Sequence, residues 1–365
     1  MSTDVNNIAR LARVGHAGHC KMCLQGLPAS QVDIDASRLA LAFYCLGSLD
    51  LLATLEEKST ESDRLLWKQW IWEQYTHGKY GSGFRPSSYM TSEATAGKEG
   101  YSDFDTPHLI MTYTALLSLS ILRDDFSSLD RPGLLRLLRE CQEDDGSFST
   151  VPHAGDSDLR TTYCAFVICS LLDDWSGINV DRAVAFIRRC RTYEGAYGQS
   201  PFCEAQGGTT YCAIASLHLL PTSLTSYPIF TPAERKNTTR WLVNNQHHSG
   251  GFCGRTGKDA DACYCFWCGA SLQILGVKDM VDVPLLTDFL SRCQFKFGGI
   301  AKSPGERPDP YHTYLSCAAL SMYPPTGLDG ALGKSWAFSA LDPLINANED
   351  TARWARRHIP GRRDG

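Results

Sequence analysis

Apolar residues in this chain recur at helical rather than strand spacing, and they do so in paired runs. In each pair an apolar helix ends near Gln. A turn with Gly and an aromatic residue follows, then a polar loop, then a second apolar helix containing Tyr. LLRLLRECQEDDGSF is followed by DLRTTYCAFVICSLL, AVAFIRRCRTYEGAYG by GGTTYCAIASLHLL, TTRWLVNNQHHSGGF by ADACYCFWCGASLQIL, and LLTDFLSRCQFKFGGI by YHTYLSCAALSMY. An earlier copy ends in HLIMTYTALLSLSIL, and a degenerate first one is SRLALAFYCLGSLDLL. Anchored on Tyr113, Tyr163, Tyr211, Tyr264 and Tyr314, the copies are 50, 48, 53 and 50 residues apart. Glycine stops each first helix because it adopts the left-handed cap conformation. A two-helix period of this length predicts stacked helical hairpins, each burying its face on its neighbours. The periodicity leaves open whether the stack is an open solenoid or a closed ring. It predicts one all-α domain over residues 1–365, with short polar extensions at both ends.

The copies also act as controls on one another. In this alignment the residue after Tyr is Cys164, Cys212 and Cys265, and Cys45 follows Tyr44, so Cys265 reads as a small core residue. Cys268, one turn further on, and the Cys20–Cys23 pair read as helix packing too. The residue before Tyr is Thr112, Thr162, Thr210 and Thr313, but Cys263 in the remaining copy. Asp261 stands where other copies have Ile110, Arg160, Gly208 and Tyr311. His312 stands where others have Met111, Thr161, Thr209 and Ala262. Asp261, Cys263 and His312 therefore depart from the repeat at the mouths of adjacent second helices, where equivalent positions face the same way. An Asp/Cys/His set suits Zn²⁺, and three protein ligands leave a fourth position open, as in catalytic sites. Arg255 and Lys258, in the loop leading to Asp261, can bind an anion beside it. Three unconnected residues, a solvated Asp, a core Cys and a polar His, remain the competing reading.

Composition narrows the class. The 365 residues are 43% hydrophobic with a formal net charge of −5, which suits a large buried core and argues against a nucleic-acid partner. MSTDVNNIARLARVG lacks the apolar core of a signal peptide. The longest apolar stretch, TYTALLSLSIL, falls short of the ~18 residues of a membrane span. Fifteen cysteines without a signal peptide are expected as reduced thiols, hence a cytoplasmic address. A non-catalytic helical-repeat scaffold, which needs no zinc, is the alternative from another functional class.

The segment R-x-x-K-x-x-D-x-C-Y at Arg255–Tyr264, with PDPYHTY around His312, resembles the β subunits of protein prenyltransferases. The match runs through SRLALAFYCLGSLDLL, FDTPHLIMTYTALLSLSIL, DWSGINVDRAVAFIRR and GGTTYCAIASL, and within the family it resembles the type I geranylgeranyl branch. The resemblance implies an α/α toroid, a closed barrel of about six hairpins. It implies one Zn²⁺ on Asp261, Cys263 and His312, with the substrate cysteine of a C-terminal Cys-a-a-X motif at the open position. The thiolate sulfur then attacks C1 of an isoprenoid diphosphate. Arg255, Lys258 and Tyr264 match groups that neutralise the departing diphosphate, His108 and Arg160 match positions at the peptide's C-terminal end, and Tyr163 and Trp267 match aromatic walls of the lipid tunnel.

Gln206 departs from the family, which has His there bonding the diphosphate; an amide can donate but carries no charge. Two further positions distinguish branches. Ala40 stands where the farnesyl enzyme has a tunnel-shortening tryptophan, leaving room for a twenty-carbon lipid. Lys302, ten residues before His312, stands where the farnesyl enzyme has a magnesium-binding Asp, so Mg²⁺ is expected to be dispensable. The family also implies an obligate α subunit, geranylgeranyl diphosphate, and Cys-a-a-X proteins such as Rho/Rac-type small GTPases as partners. A farnesyl or Rab-type β subunit is the alternative within the family. Terpene cyclases share this kind of barrel, but the chain has no D-x-D-D acid motif.

Overall fold

The computed structural model describes residues 8–27, 36–88, 105–224 and 230–361. Among these, helices alternate between two concentric layers. The outer layer contains α1 (Arg13–Gln25), α3 (Glu61–Trp72), α5 (Arg131–Cys141), α7 (Val180–Arg189), α9 (Pro232–Asn244) and α11 (Val283–Arg292). The inner layer contains α2 (Arg38–Leu51), α4 (Leu109–Ile121), α6 (Leu159–Leu172), α8 (Gly207–Leu219), α10 (Ala262–Ile274) and α12 (Pro310–Met322). Each inner helix packs on the next, and α12 packs back on α2, so the stack is a closed toroid. A last helix, α13 (Glu349–His358), packs on α4 and α6.

The glycine turns explain how the outer layer closes. Gly250, at φ 101°, lies so near α11 that a Cβ there would meet the Leu285 carbonyl oxygen at 2.0 Å. Gly298, at φ 106°, makes the same approach to α1, where a Cβ would lie 2.0 Å from the Gly15 carbonyl oxygen. Only glycine tolerates both the positive φ and the contact. The turn after the last outer helix therefore receives the first, and the ring is sealed.

The structure also corrects the repeat register. The side chains of His108, Asp158, Gln206, Asp261 and Asp309 each accept a backbone N–H at the start of an inner helix. Counting five residues from each cap gives Tyr113, Tyr163, Tyr211, Phe266 and Tyr314, so Phe266 and not Tyr264 is the fifth member. Its ring lies 5.2 Å from that of Tyr211, as Tyr163 lies 5.3 Å from Tyr211. In α2 the member is Phe43, 6.1 Å from Tyr113 and 5.1 Å from Tyr314, with Tyr44 one place beyond. Cys265 thus occupies the threonine position. Thr112, Thr210 and Thr313 there accept the N–H groups of Phe84, Tyr197 and Ile300, and Cys265 likewise takes a bond from the Phe252 backbone. It is a fully buried core thiol, as expected, though in a different slot.

Four tyrosines of this set hold the segment that links α12 to α13. Tyr211 donates to the Pro343 carbonyl at 2.8 Å, Tyr163 to Leu344 at 3.1 Å, Tyr113 to Ile345 at 3.0 Å and Tyr314 to Asn346 at 2.6 Å. Consecutive carbonyls of an irregular segment, which a hydrophobic interior would otherwise leave unpaired, are satisfied one by one from four helices. All fifteen cysteines are free, and Cys20 and Cys23 lie in α1 as packing residues. Among the described residues no helix is long and apolar enough to cross a membrane.

Candidate active site and metal centre

Two short antiparallel ribbons deliver the metal-type ligands. Phe252–Cys253 pairs with Ala260–Asp261, and Ile300–Ala301 with Pro308–Asp309, so each ribbon ends on the capping residue of an inner helix. The Ala262 N–H donates to the Lys302 carbonyl at 2.9 Å, binding the two units together at this point. Among the described residues, Asp261, Cys263 and His312 form the one group whose ligand atoms could share an ion, all within 4.8 Å of one another. Asp261 accepts the Cys263 N–H at 2.9 Å, and its Oδ1 lies 3.3 Å from His312 Nε2. On the far side of the ring, His312 Nδ1 bonds Asp309 Oδ2 at 2.6 Å while Asp309 Oδ1 caps α12 through the His312 N–H.

The electrostatics favour a cation at this point. Burial pushes the Cys263 thiol well above its ordinary pKa, and the neighbouring Asp261 carboxylate pushes it further. Burial alone would lower His312, but its bonds to Asp261 and Asp309 outweigh that and hold its pKa at about 9. Two carboxylates converge on one imidazole, beside a thiol that ionises only if positive charge is supplied. A mixed O, S and N donor set of this kind, with three protein ligands, fits Zn²⁺ with one position open. Asp309 is the outer partner that metal-bound histidines commonly have.

An aromatic wall flanks the triad. Trp267 Nε1 donates to Tyr311 Oη at 3.1 Å, the Tyr44 ring meets that of Tyr311 edge-on at 5.3 Å, and Tyr211 lies 5.1 Å from Trp267. On the other side, Gln206 Nε2 donates to Tyr264 Oη at 3.2 Å, and Arg255 pairs with Glu204 at 2.9 Å on an exposed loop. Lys258 and Lys302 are exposed. An outer groove of about 550 Å³ between α1, α2 and α3 is lined by Cys23, Leu41, Trp67 and Trp70 and lies apart from this chemistry.

The match to known families decides the assignment. Residues 11–347 fit the model of the prenyltransferase alpha-alpha toroid domain. The chain belongs to the prenyltransferase toroid family. Among its relatives, the geranylgeranyl transferase type-1 subunit beta of Dictyostelium discoideum is 38% identical over 315 residues, covering 82% of this chain and 87% of that one. The Arabidopsis thaliana protein of the same name is 35% identical over 317 residues, 84% of each. The solved Candida albicans protein geranylgeranyltransferase-I complexed with GGPP superposes with a TM-score of 0.82 at 26% identity, covering 96% of this chain and all of that one.

Within this toroid the residues singled out from sequence fall into four places. Asp261, Cys263, Tyr264, Trp267, Gln206 and His312 gather around the triad, with Arg255, Lys258 and Lys302 on the loops above it. Ala40 is buried on α2, one turn before Tyr44 on the same inward face. His108 and Arg160 sit at the starts of α4 and α6. Burial holds His108 neutral with a pKa of about 4, so its ring nitrogen accepts the Met111 N–H; Arg160 is half exposed and forks onto Asp158. Tyr163 serves the central segment, its hydroxyl shared between Tyr211 and Leu344. Sequence reasoning missed Asp309, Tyr44, Tyr311 and Glu204. The i, i+3 spacing of Asp309 and His312 was the available signal for the first of these.

Proposed function

We propose that this chain is the catalytic β subunit of a heterodimeric, zinc-dependent protein geranylgeranyltransferase of type I. It would transfer geranylgeranyl from geranylgeranyl diphosphate to the thiol of a C-terminal Cys-a-a-X cysteine. The observation that carries the reading is the convergence of Asp261, Cys263 and His312 within 4.8 Å at the mouth of a prenyltransferase toroid. The names of its relatives support the same activity.

Zinc, bound by those three residues, would supply Lewis-acid chemistry that lowers the pKa of a coordinated thiol from its free value of ~8.5. Asp309 keeps a proton on His312 Nδ1, which leaves Nε2 facing the ligand position. In the transfer, the new C–S bond forms at C1 of the isoprenoid while the C1–O bond breaks, and the diphosphate leaves with the bonding electrons. Arg255, Lys258, Lys302 and the Tyr264 hydroxyl would offset the charge that develops on that oxygen. Lys302 supplies a fixed ammonium where a metal ion would otherwise be needed, so the reaction runs without Mg²⁺. Ala40, Tyr44, Tyr311 and Trp267 would border the lipid, and His108 and Arg160 the peptide's carboxyl end. A second, α, subunit completes the enzyme, and Rho/Rac-type GTPases are the expected substrates.

The test is coexpression with a prenyltransferase α subunit, then assay of geranylgeranyl and farnesyl diphosphate on peptides ending in Leu or Ser, with zinc present and Mg²⁺ removed. Transfer of geranylgeranyl to the Leu peptide is the expected result. Preference for farnesyl diphosphate on every peptide would assign the chain to the other branch, and an inactive, zinc-free complex would mean a scaffold.

A further inference from the structure

We propose that Gln206 is a positioning residue for Tyr264, fixing the direction in which its phenolic O–H is offered as a donor. This rests on the functional reading above.

Gln206 is fixed before it meets Tyr264. It is the cap of α8, where its Oε1 accepts the Thr209 N–H at 3.2 Å, and its own N–H donates to the Tyr197 carbonyl at 3.0 Å. With the amide oxygen committed to the helix, the amide nitrogen is the end that reaches Tyr264 Oη, 3.2 Å away. A flipped amide would set its NH₂ against the Thr209 donor, so the network assigns the orientation. Tyr264 Oη is thus the acceptor in this pair, and its own proton must point elsewhere.

The ring cannot swing to change that. A Cβ on Gly254 would lie 2.2 Å from the Tyr264 ring, and one on Gly207 would lie 3.0 Å from it, so both glycines are in close contact with the phenol. The Gly207 N–H donates to the Gly254 carbonyl at 2.9 Å, which locks the two walls together. A phenolic hydroxyl prefers the plane of its ring, which leaves two directions for the proton. The Gln206 donor blocks one of them. The proton is left with the other in-plane direction, away from the Gln206 amide. A donor held there, with no reorganisation required, is the arrangement that stabilises charge growing on a leaving anion.

The fold carries a comparison for this slot. His108 occupies the equivalent cap of α4, and its Nδ1 accepts the Met111 N–H at 3.5 Å, which leaves Nε2 as the donor of the neutral ring. A histidine at 206 can therefore keep both bonds. Serine is a good helix cap but too short to reach Tyr264.

The experiment uses the αβ complex, with single-turnover rates measured for geranylgeranyl diphosphate and a peptide ending in Leu. Gln206→Ser is expected to fold normally and to lose about tenfold in the transfer rate, with peptide KM changed by less than about twofold. Gln206→His recovers most of that loss. In a Tyr264→Phe background Gln206→Ser changes the rate by less than about twofold, because there is no proton left to direct. An equal loss from Gln206→Ser with and without the phenol hydroxyl would overturn the inference and leave the functional reading standing. A wild-type complex with no transferase activity would overturn the functional reading, and this inference with it.

Discussion

A metal ion entering the triad must displace two protons, because His312 titrates at about 9 and Cys263 well above the ordinary thiol value. Both groups are protonated at neutral pH, and both must be deprotonated to act as ligands. Zinc binding to the stripped chain is therefore expected to release about two protons and to tighten by about a hundredfold per pH unit between pH 6 and 8. Calorimetry in buffers of different ionisation enthalpy measures this, and release near zero would contradict it. Cys263→Ala should abolish zinc binding and turnover, whereas Cys265→Ala keeps both, since Cys265 only replaces a core threonine. Metal analysis separates the two. Ala40→Trp should shift lipid use toward farnesyl diphosphate, because filling a packed wall with an indole excludes the longer chain; competition between the two diphosphates reads it out. The triad was legible in the sequence, but part of the reason was not. Cys263 and His312 do stand out, whereas Asp261 sits in the same capping slot as Asp158 and Asp309. For the same reason Asp309 passed unnoticed: a carboxylate before a helix reads as a cap, and only the folded site shows its second oxygen on His312.

Among the helices, α1 shows how one element depends on a neutral histidine. His16 is completely buried, its Nδ1 accepting the Gly299 N–H at 2.9 Å and its Nε2 donating to Gln294 Oε1 at 3.0 Å. Gln294 Oε1 also accepts the Ala12 N–H at 2.8 Å, so this pair joins the first helix to the last turn of the ring. Burial lowers the His16 pKa to about 4, only partly offset by the Gln294 bond. The unfolded chain takes up a proton at its ordinary value of ~6.5, so this contribution is intact above pH 6.5 and is lost as pH falls toward 4. The loss amounts to about 3 kcal/mol. Denaturant unfolding at pH 7.5 and pH 5 should show about 2 kcal/mol of it, and His16→Asn should flatten the dependence. A wild type equally stable at both values would refute the assignment. The helices themselves were evident from their apolar spacing, and so was their pairing into hairpins. The register was not. Tyr264 lies two residues from the true repeat position, and sequence alone gave Phe266 no mark that distinguishes it from ordinary core.

For the molecule as a whole, closure depends on contacts between residues far apart in the chain. The periodicity left solenoid and ring equally open because both stack hairpins in the same way. The decision lies in the Gly298 approach to Gly15 and in the packing of α12 on α2. Of the four tyrosines holding Pro343–Asn346, three were read only as repeat markers, and Tyr163 was read also as a wall of the lipid tunnel. Replacing any one of them by Phe should cost about 1–2 kcal/mol, because a buried carbonyl loses its donor, and thermal unfolding would register the drop. Unchanged melting in all four single variants would show that the segment is held by packing alone. That segment also sets an order of events during synthesis. The inner helices are synthesised before residues 343–346, and until those arrive four phenols lack these acceptors. The end of the chain must also meet its beginning, as the Leu11 N–H bond to Ser335 illustrates at a separation of 324 residues. Such distant contacts make closure slow, and the half-made ring exposes apolar helix faces while it waits. The nascent chain is therefore expected to need protection from aggregation until its last segment arrives and the ring can close.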